Sequence, residues 1–318
     1  MAPITVVGSI NRDVVLRVAA LPRPGETVLA DSRLDGLGGK GANQAVAAAR
    51  LGASVRLVGA VGHDGSGLLD ALRGEGVDVG AVRCDHASPS GLATVVVDAS
   101  GENAIVVSPG SNATLRPADL PADLVRTRGD VVLVQQEIPS SVVEATVAGA
   151  WRAGGRVVLN PAPGTPLRRE LLERVTVLVP NQGELAAVLS AARQPATAGE
   201  AREMLDAAEL PCAVVVTLGA AGALVWQGGA TEHVAAPTVV AVDTVGAGDT
   251  FCGALAASLA EGAGLLAASR RATHAAALAV TGHGAQGAMP RSSDVDELME
   301  RTAGGPLETS AARERTAR

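Results

Sequence analysis

The chain has 318 residues, a net charge of −7 and 47% hydrophobic residues, but only one Phe, two Trp and no Tyr. That length buries a large core, as one big α/β domain or two ordinary ones, and the core must be packed from aliphatic side chains. The lack of a basic stripe and of stacking rings argues against nucleic acid, and Cys84, Cys212 and Cys252, odd in number and far apart, argue against a disulfide framework or a zinc site and are expected to be small buried side chains.

The first residues, MAPITVVGSIN, have no basic leader and run straight into a strand at Ile4 to Val7, which predicts a cytoplasmic protein without a signal peptide. Further valine-rich runs follow at Val55 to Val58, Val131 to Val134, Arg156 to Leu159, Val175 to Val179 and Ala213 to Thr217. Most precede alanine-rich segments of helical length, the pattern of a parallel sheet with crossover helices on both faces. Two segments differ: Asp13 to Gly36 and Gly91 to Val107 alternate polar and apolar residues around Pro24-Gly25 and Ser100-Gly101. They predict two antiparallel hairpins that stand off the main sheet as a lid. Leu210 to Thr231 is free of charge, yet Pro211, Gly219, Gly222 and Gly228-Gly229 break it into strand, turn and strand, so no membrane span is expected. Residues 1–301 are expected to form one domain and 302–318 a disordered tail.

The polar residues that carry chemistry fall at strand ends and helix starts. Asn11 and Asp13 lie just past the first strand, where parallel sheets open their ligand crevice; the pair can fork onto neighbouring sugar hydroxyls or merely shape a turn. GGKGANQAVAAARLG, Gly38 to Gly52, is a glycine turn leading into a helix. It is not a Walker loop, because Gly41 follows Lys40 where Ser or Thr would hold magnesium. Lys40 and Asn43 can donate to hydroxyls, although a plain loop with a solvated lysine has the same composition. Glu137 follows the third run. Asn181 and Glu184, three apart on a first helical turn after the fifth run, suit either a hydrated magnesium ion or a capping box. TLGAAG, Thr217 to Gly222, ends a strand in a glycine turn that can admit a nucleotide.

The last motif is DTVGAGDTF, Asp243 to Phe251. Gly246, Ala247 and Gly248 permit a tight turn, and the residues from Thr250 onward have the composition of a buried helix. Consecutive N–H groups opening a helix form an anion site suited to a transferring phosphoryl group. A carboxylate beside such a site fits a base that accepts a proton from an attacking hydroxyl, and Asp249 occupies that place. A helix-capping acid is the simpler alternative.

In this order GGKGAN and DTVGAGDTF, together with VVGSINRD, QQEIP, PNQGE and TLGAAG, closely resemble the signatures of the ribokinase-like (phosphofructokinase B) carbohydrate kinase family, over roughly residues 4 to 300. The resemblance implies a three-layer α/β/α body around a central, mostly parallel sheet, with a small β-sheet lid that pairs subunits as a homodimer. It implies a sugar site of Asn11, Asp13, Gly39, Lys40, Asn43 and Glu137, with Asp249 as base, and an anion hole at Gly246, Ala247 and Gly248. ATP would lie along Asn181, Thr217, Gly219, Gly222, Gly248 and His274, with magnesium held through water near Glu184. Potassium would sit between Asp243 and the carbonyls of Val245, Ala279, Gly282 and Gly284; Ala288 replaces a Ser common at this loop in such kinases. The expected reaction is phosphorylation of D-ribose at its 5-hydroxyl. Deoxyribose, adenosine or fructose 6-phosphate are the alternative substrates, and a silent sugar or nucleotide sensor is the alternative of another class. The scarcity of rings disfavours a nucleoside, and the presence of only Arg12 beside Lys40 disfavours a sugar phosphate.

Overall fold

The computed structural model of the protein describes residues 2–303. In chain order its strands begin with β1 (Ile4–Val7), β2 (Asn11–Val18), β3 (Ala30–Gly38), β4 (Val55–Gly62), β5 (Asp78–Asp85), β6 (Gly91–Val97) and β7 (Asn103–Ser108). They continue with β8 (Val131–Gln135), β9 (Arg156–Asn160), β10 (Val177–Leu178), β11 (Ala213–Thr217), β12 (Ala223–Gln227) and β13 (Ala230–Val234). The helices are α1 (Lys40–Arg50), α2 (Ser66–Gly74), α3 (Ser140–Arg152), α4 (Arg169–Leu172), α5 (Gln182–Val188), α6 (Ala198–Ala208), α7 (Ala247–Ala260), α8 (Leu265–Ala279) and α9 (Ser292–Ala303).

Among the described residues, nine strands form one sheet in the order β13-β12-β11-β10-β9-β8-β1-β4-β5, parallel from β5 to β11 and antiparallel at β12 and β13. Helices cover both faces. Val6 packs into a core shared with α1, α7 and α8, while its neighbour Val7 packs into the opposite core with α3, α5 and α6. Successive residues of a strand point to opposite faces, so a strand buried on both must be apolar throughout, as ITVV is. The predicted three-layer α/β/α body is therefore present.

The two predicted hairpins form a separate four-stranded sheet, β3-β2-β6-β7. Both hairpins are antiparallel, and β2 pairs parallel with β6, from Asn11 opposite Gly91 to Arg17 opposite Val97. The sheet begins at Asn11 rather than Asp13 and its first hairpin ends at Gly38 rather than Gly36. Ile105, Val106 and Val107 on its edge strand β7 are exposed.

Three expectations need correction. The run Val175 to Val179 is a strand only at Val177–Leu178. Cys84 is exposed on β5, whereas Cys212 and Cys252 are buried as expected. Helix α9 continues to Ala303, past the start expected for the tail, and the rest of that segment lies outside the described residues. Among the described residues no helix is long and apolar enough to cross a membrane.

Helices α1 and α7 are packed unusually close, on small residues. A side chain at Gly253 of α7 would meet Ala47 Cβ at 2.6 Å and the Gln44 carbonyl at 2.7 Å. The seam lies one helical turn beyond Asn43 and Gln44 on α1 and one turn beyond Asp249 on α7, and it brings those polar residues together.

Candidate active site

Helix α7 is reached through Gly246, whose φ of 81° and lack of Cβ let the chain pass against Ala285, where a side chain would come within 2.8 Å of main-chain atoms. Thr250 returns its N–H to the Gly246 carbonyl at 2.8 Å and the Ala247 N–H makes a long contact of 3.3 Å with Thr244. Among the described residues no main-chain acceptor takes the N–H of Gly248 or Asp249. These orphan donors open the helix and create a site for an anion. On one side Ala247 and Gly248 border a cavity of about 400 Å³. On the other, Asp249 is buried among polar side chains.

The carboxylate of Asp249 is held by two amides from α1. Asn43 Nδ2 donates to Oδ2 at 3.0 Å and Gln44 Nε2 to Oδ1 at 2.9 Å. Glu137, two residues past β8, accepts from Ser9 Oγ at 2.6 Å and from the Lys40 N–H at 3.1 Å, which fastens it to the start of α1. Gly39 makes this turn possible with φ 86°, because a side chain there would lie within 3 Å of Asn11 N and Ser9 O. The Lys40 ammonium is held above its usual range, first by the Asp249 carboxylate and then by Glu137, against the opposing effect of burial. It is therefore charged at neutral pH.

The lid supplies the remaining wall. Asn11 turns Oδ1 toward Asn112 Nδ2, 2.7 Å away, which leaves its own amide nitrogen free to donate. Asp13 lies flat against Gly38, where any Cβ would sit 2.1 Å from the carboxylate, and among the described residues its buried Oδ1 has no partner. Its carboxyl is pushed up to about 6 by burial, with smaller contributions from Glu137 and Asp249. An acid whose folded value lies above its ordinary 3.8 withdraws stability as pH rises from that value through about 6. Asp13→Asn is therefore expected to raise the sugar-free melting temperature at pH 8 by about 3 °C and to leave it nearly unchanged at pH 4. Thermal melts at the two pH values check this; equal shifts would refute the assigned cause.

The cavity is bounded by Thr217, Gly219 and Gly222 from the TLGAAG turn, by Pro237, Thr238, Val239 and Ala241, and by Thr273, Ala276, Ala277 and Val280 of α8 and its end. Asn181, N-cap of α5, pairs beside Thr217 but forms the capping box with Glu184: its Oδ1 accepts the Glu184 N–H at 2.8 Å, and its own N–H donates to Glu184 Oε2 at 2.9 Å. His274 is not a wall residue. It lies about 100° around the helix from Thr273, and its ring contacts Arg270 O and Thr302 Oγ1 instead. The positions i, i+3, i+4 and i+7 that face the cavity are 273, 276, 277 and 280.

Residues 1–292 match the pfkB family carbohydrate kinase description. The chain belongs to the pfkB family of carbohydrate kinases. The ribokinase of Bacillus subtilis is 40% identical over 307 residues, 94% of this chain and 100% of the relative. The ribokinase of Schizosaccharomyces pombe is 37% identical over 93% of this chain and 97% of its own length. The structure of Arabidopsis thaliana ribokinase complexed with ribose and ATP aligns with a TM-score of 0.86 at 33% identity, over 94% of this chain and 99% of that one.

Within this pfkB kinase, Asp243 ties two loops together. Its Oδ1 accepts the Val245 N–H at 3.0 Å and its Oδ2 the Gly284 N–H at 2.9 Å, 41 residues away. Each oxygen keeps a lone pair for a further contact. Among the described residues no cluster of three His, Cys, Asp or Glu could hold a metal. The Glu184 carboxyl is raised by burial, opposed by the Asn181 N–H and Lys40. With one oxygen already capping Asn181, it suits a contact through water better than direct ligation.

Some site residues have no chemical signal of their own in the sequence, even where, like Gln44 in GGKGANQAVAAARLG, they sit inside a motif. Gln44 and Asn160 join the Asp249 cluster, with Gln44 Nε2 3.1 Å from Asn160 Oδ1. Gln286 Nε2 donates to Asn43 Oδ1 at 2.8 Å from the loop after α8. Asn160 ends a parallel strand, the rule that selected Glu137; Gln44 is an ordinary helix residue by composition. If the cavity holds the nucleobase, Ala277→Leu should raise KM for ATP about tenfold and leave kcat at saturating ATP within about threefold of wild type. An unchanged KM would exclude this cavity as the nucleotide site.

Proposed function

We propose that the protein transfers the γ-phosphoryl group of ATP to the 5-hydroxyl of D-ribose, giving ribose 5-phosphate and ADP. The observation that carries the reading is the position of Asp249, between orphan helix N–H groups beside an open cavity on one side and a cluster of polar side chains on the other. The ribokinase names of the relatives and the ribose and ATP of the Arabidopsis structure support the choice of substrates.

The sugar is fixed by Asn11, Asp13, Gly39, Lys40, Asn43 and Glu137, two carboxylates and three donors aimed into one pocket. Asp249 takes the 5-hydroxyl proton as that oxygen forms its bond to the γ-phosphorus and the bond to the β-phosphate oxygen breaks. Charge developing on the transferred group falls at the Gly246, Ala247 and Gly248 turn, where the α7 dipole and free N–H groups are already oriented. The nucleotide lies along Asn181, Thr217, Gly219, Gly222 and Gly248. Magnesium accompanying ATP supplies further charge neutralisation, and Glu184 would hold it through water. Asp243 and the carbonyls of Val245, Ala279, Gly282 and Gly284 would hold potassium, which stiffens the turn before α7. The lid excludes water from the pocket, and its exposed Leu34, Ile105, Val106 and Val107 favour pairing of two lids in a homodimer. Residues 1–301 act as one kinase unit, in the cytoplasm where ATP is available.

A coupled ADP-release assay over pentoses, hexoses and nucleosides, with and without potassium, tests the reading. Ribose is expected to give the highest kcat/KM, with potassium raising it. Calorimetric binding of sugar without ADP release would convert the reading to that of a sensor.

A further inference from the structure

An amide beside a carboxylate can present its NH2 or its oxygen, and the second choice sets oxygen against oxygen. The choice at Gln44 is forced from a distance. The Val179 carbonyl can only accept, and it takes Asn160 Nδ2 at 2.8 Å. Asn160 Oδ1 therefore faces Gln44 and can only accept, so Gln44 turns Nε2 toward it at 3.1 Å and presents the same nitrogen to Asp249 Oδ1 at 2.9 Å. The remaining Gln44 Oε1 accepts from Gln135 Nε2 at 2.6 Å. Gln44 and Gln135 are both 0% exposed.

We propose that Gln44, locked by Gln135 and Asn160, is a positioning residue for the Asp249 carboxylate. The relay draws on the ends of β8 and β9 and the residue after β10, and it fixes the rotation of the carboxylate so that a lone pair meets the sugar hydroxyl. A second observation supports it. Among the described residues Gln135 Oε1 is buried with no partner, against Gly8, where a Cβ would come within 2.0 Å. A buried half-satisfied amide is unfavourable by comparison with an apolar side chain of that shape. Retaining one in a strand otherwise made of Val131 to Val134 is accounted for by its donation to Gln44. The inference rests on Asp249 being the base; near-normal turnover of Asp249→Asn would remove that footing, and the outcomes below are separate from it.

The test is steady-state kinetics on wild type, Gln44→Met, Gln135→Met and the double variant, with ribose varied at saturating ATP and melting temperatures alongside. Gln44→Met is expected to lower kcat on the order of 10- to 100-fold with KM for ribose within about threefold. Gln135→Met should lower kcat about fivefold alone and add nothing on the Gln44→Met background, because the two act through one amide. A kcat within about twofold of wild type in Gln44→Met, or an equal loss from Gln135→Met on both backgrounds, overturns the proposal. Should Gln44→Met not fold, Gln135→Met decides alone: reduced kcat with unchanged KM and a retained melting temperature supports the relay, and unchanged kcat overturns it.

Discussion

Replacing Asp249 by Asn is expected to lower kcat about 10³-fold while the protein still folds and still binds sugar. The substitution keeps shape and removes the basic oxygen. In the native site both carboxylate oxygens receive amide donors, from Asn43 at 3.0 Å and Gln44 at 2.9 Å. An Asn at 249 can offer an oxygen to only one of them and must set its NH2 against the other. That mismatch costs on the order of 1–2 kcal/mol, set against relief from burying a charge. The melting temperature should therefore move little, and KM for the sugar should stay within about threefold, because most of the pocket is untouched. Steady-state kinetics with calorimetric sugar binding separates the two effects. A variant that retains a tenth or more of wild-type turnover would mean that Asp249 caps α7 and that another group takes the proton.

Gly41→Ala is expected to cost both stability and rate. Gly41 opens α1 against the chain leaving β1, and an added Cβ would lie 2.6 Å from Gly8 C and 2.7 Å from Gly8 Cα and Ser9 N. These are backbone atoms, which cannot swing aside as a side chain can. Overpacking of this kind costs about 1–3 kcal/mol, which is roughly a 5 °C fall in melting temperature for a domain of this size. Relief comes only by moving α1, and α1 carries Lys40, Asn43 and Gln44. A displacement of about 1 Å at such groups lowers kcat/KM on the order of 100-fold. Gly67→Ala in α2 is the control, since its Cβ meets nothing within 4 Å. Melts and kinetics of the two variants together test the claim; equal behaviour would show that the Gly8 and Gly41 contact is loose.

The parallel body could be read from the sequence because its strands are covered on both faces and so spell unbroken valine runs. The edges could not. Strand β5, DVGAVRCD, carries charge at both ends and is covered on one flank, and β13, ATEHV, is almost wholly exposed, so neither has the buried signature. The site divides in the same way. Asp249, Lys40 and Asn43 announce themselves through the glycine turns that precede them. Gln44 looks like any polar residue of a helix, and its partners Gln135 and Asn160 come from elements 91 and 116 residues away. The wall of Pro237, Thr238, Val239 and Ala241 has no motif, because its role arises only once α8 packs opposite it. His274 shows the converse: motif alignment selects it, while helical phase hands the cavity to its neighbours. The capping box of Asn181 and Glu184 was visible as an alternative and is what the two residues form.

The contact of Gly253 with Ala47 and Gln44 contains no charged group and no reacting atom, yet it acts as a gauge block for the chemistry. One helical turn, about 5.4 Å, separates it from the Asp249 and Asn43 pair, so the spacing machined at the seam is reproduced at the base. This gives the composition a reason. A core rich in rings would hold two helices well apart, whereas alanine and glycine let backbones touch, and the 1% aromatic content of the chain is consistent with an active site whose tolerances are set by the thinnest side chains available. Drift at these plain positions would therefore be felt in turnover as well as in stability, because the backbone that meets Gly253 at the seam is the backbone that carries Asn43 and Gln44.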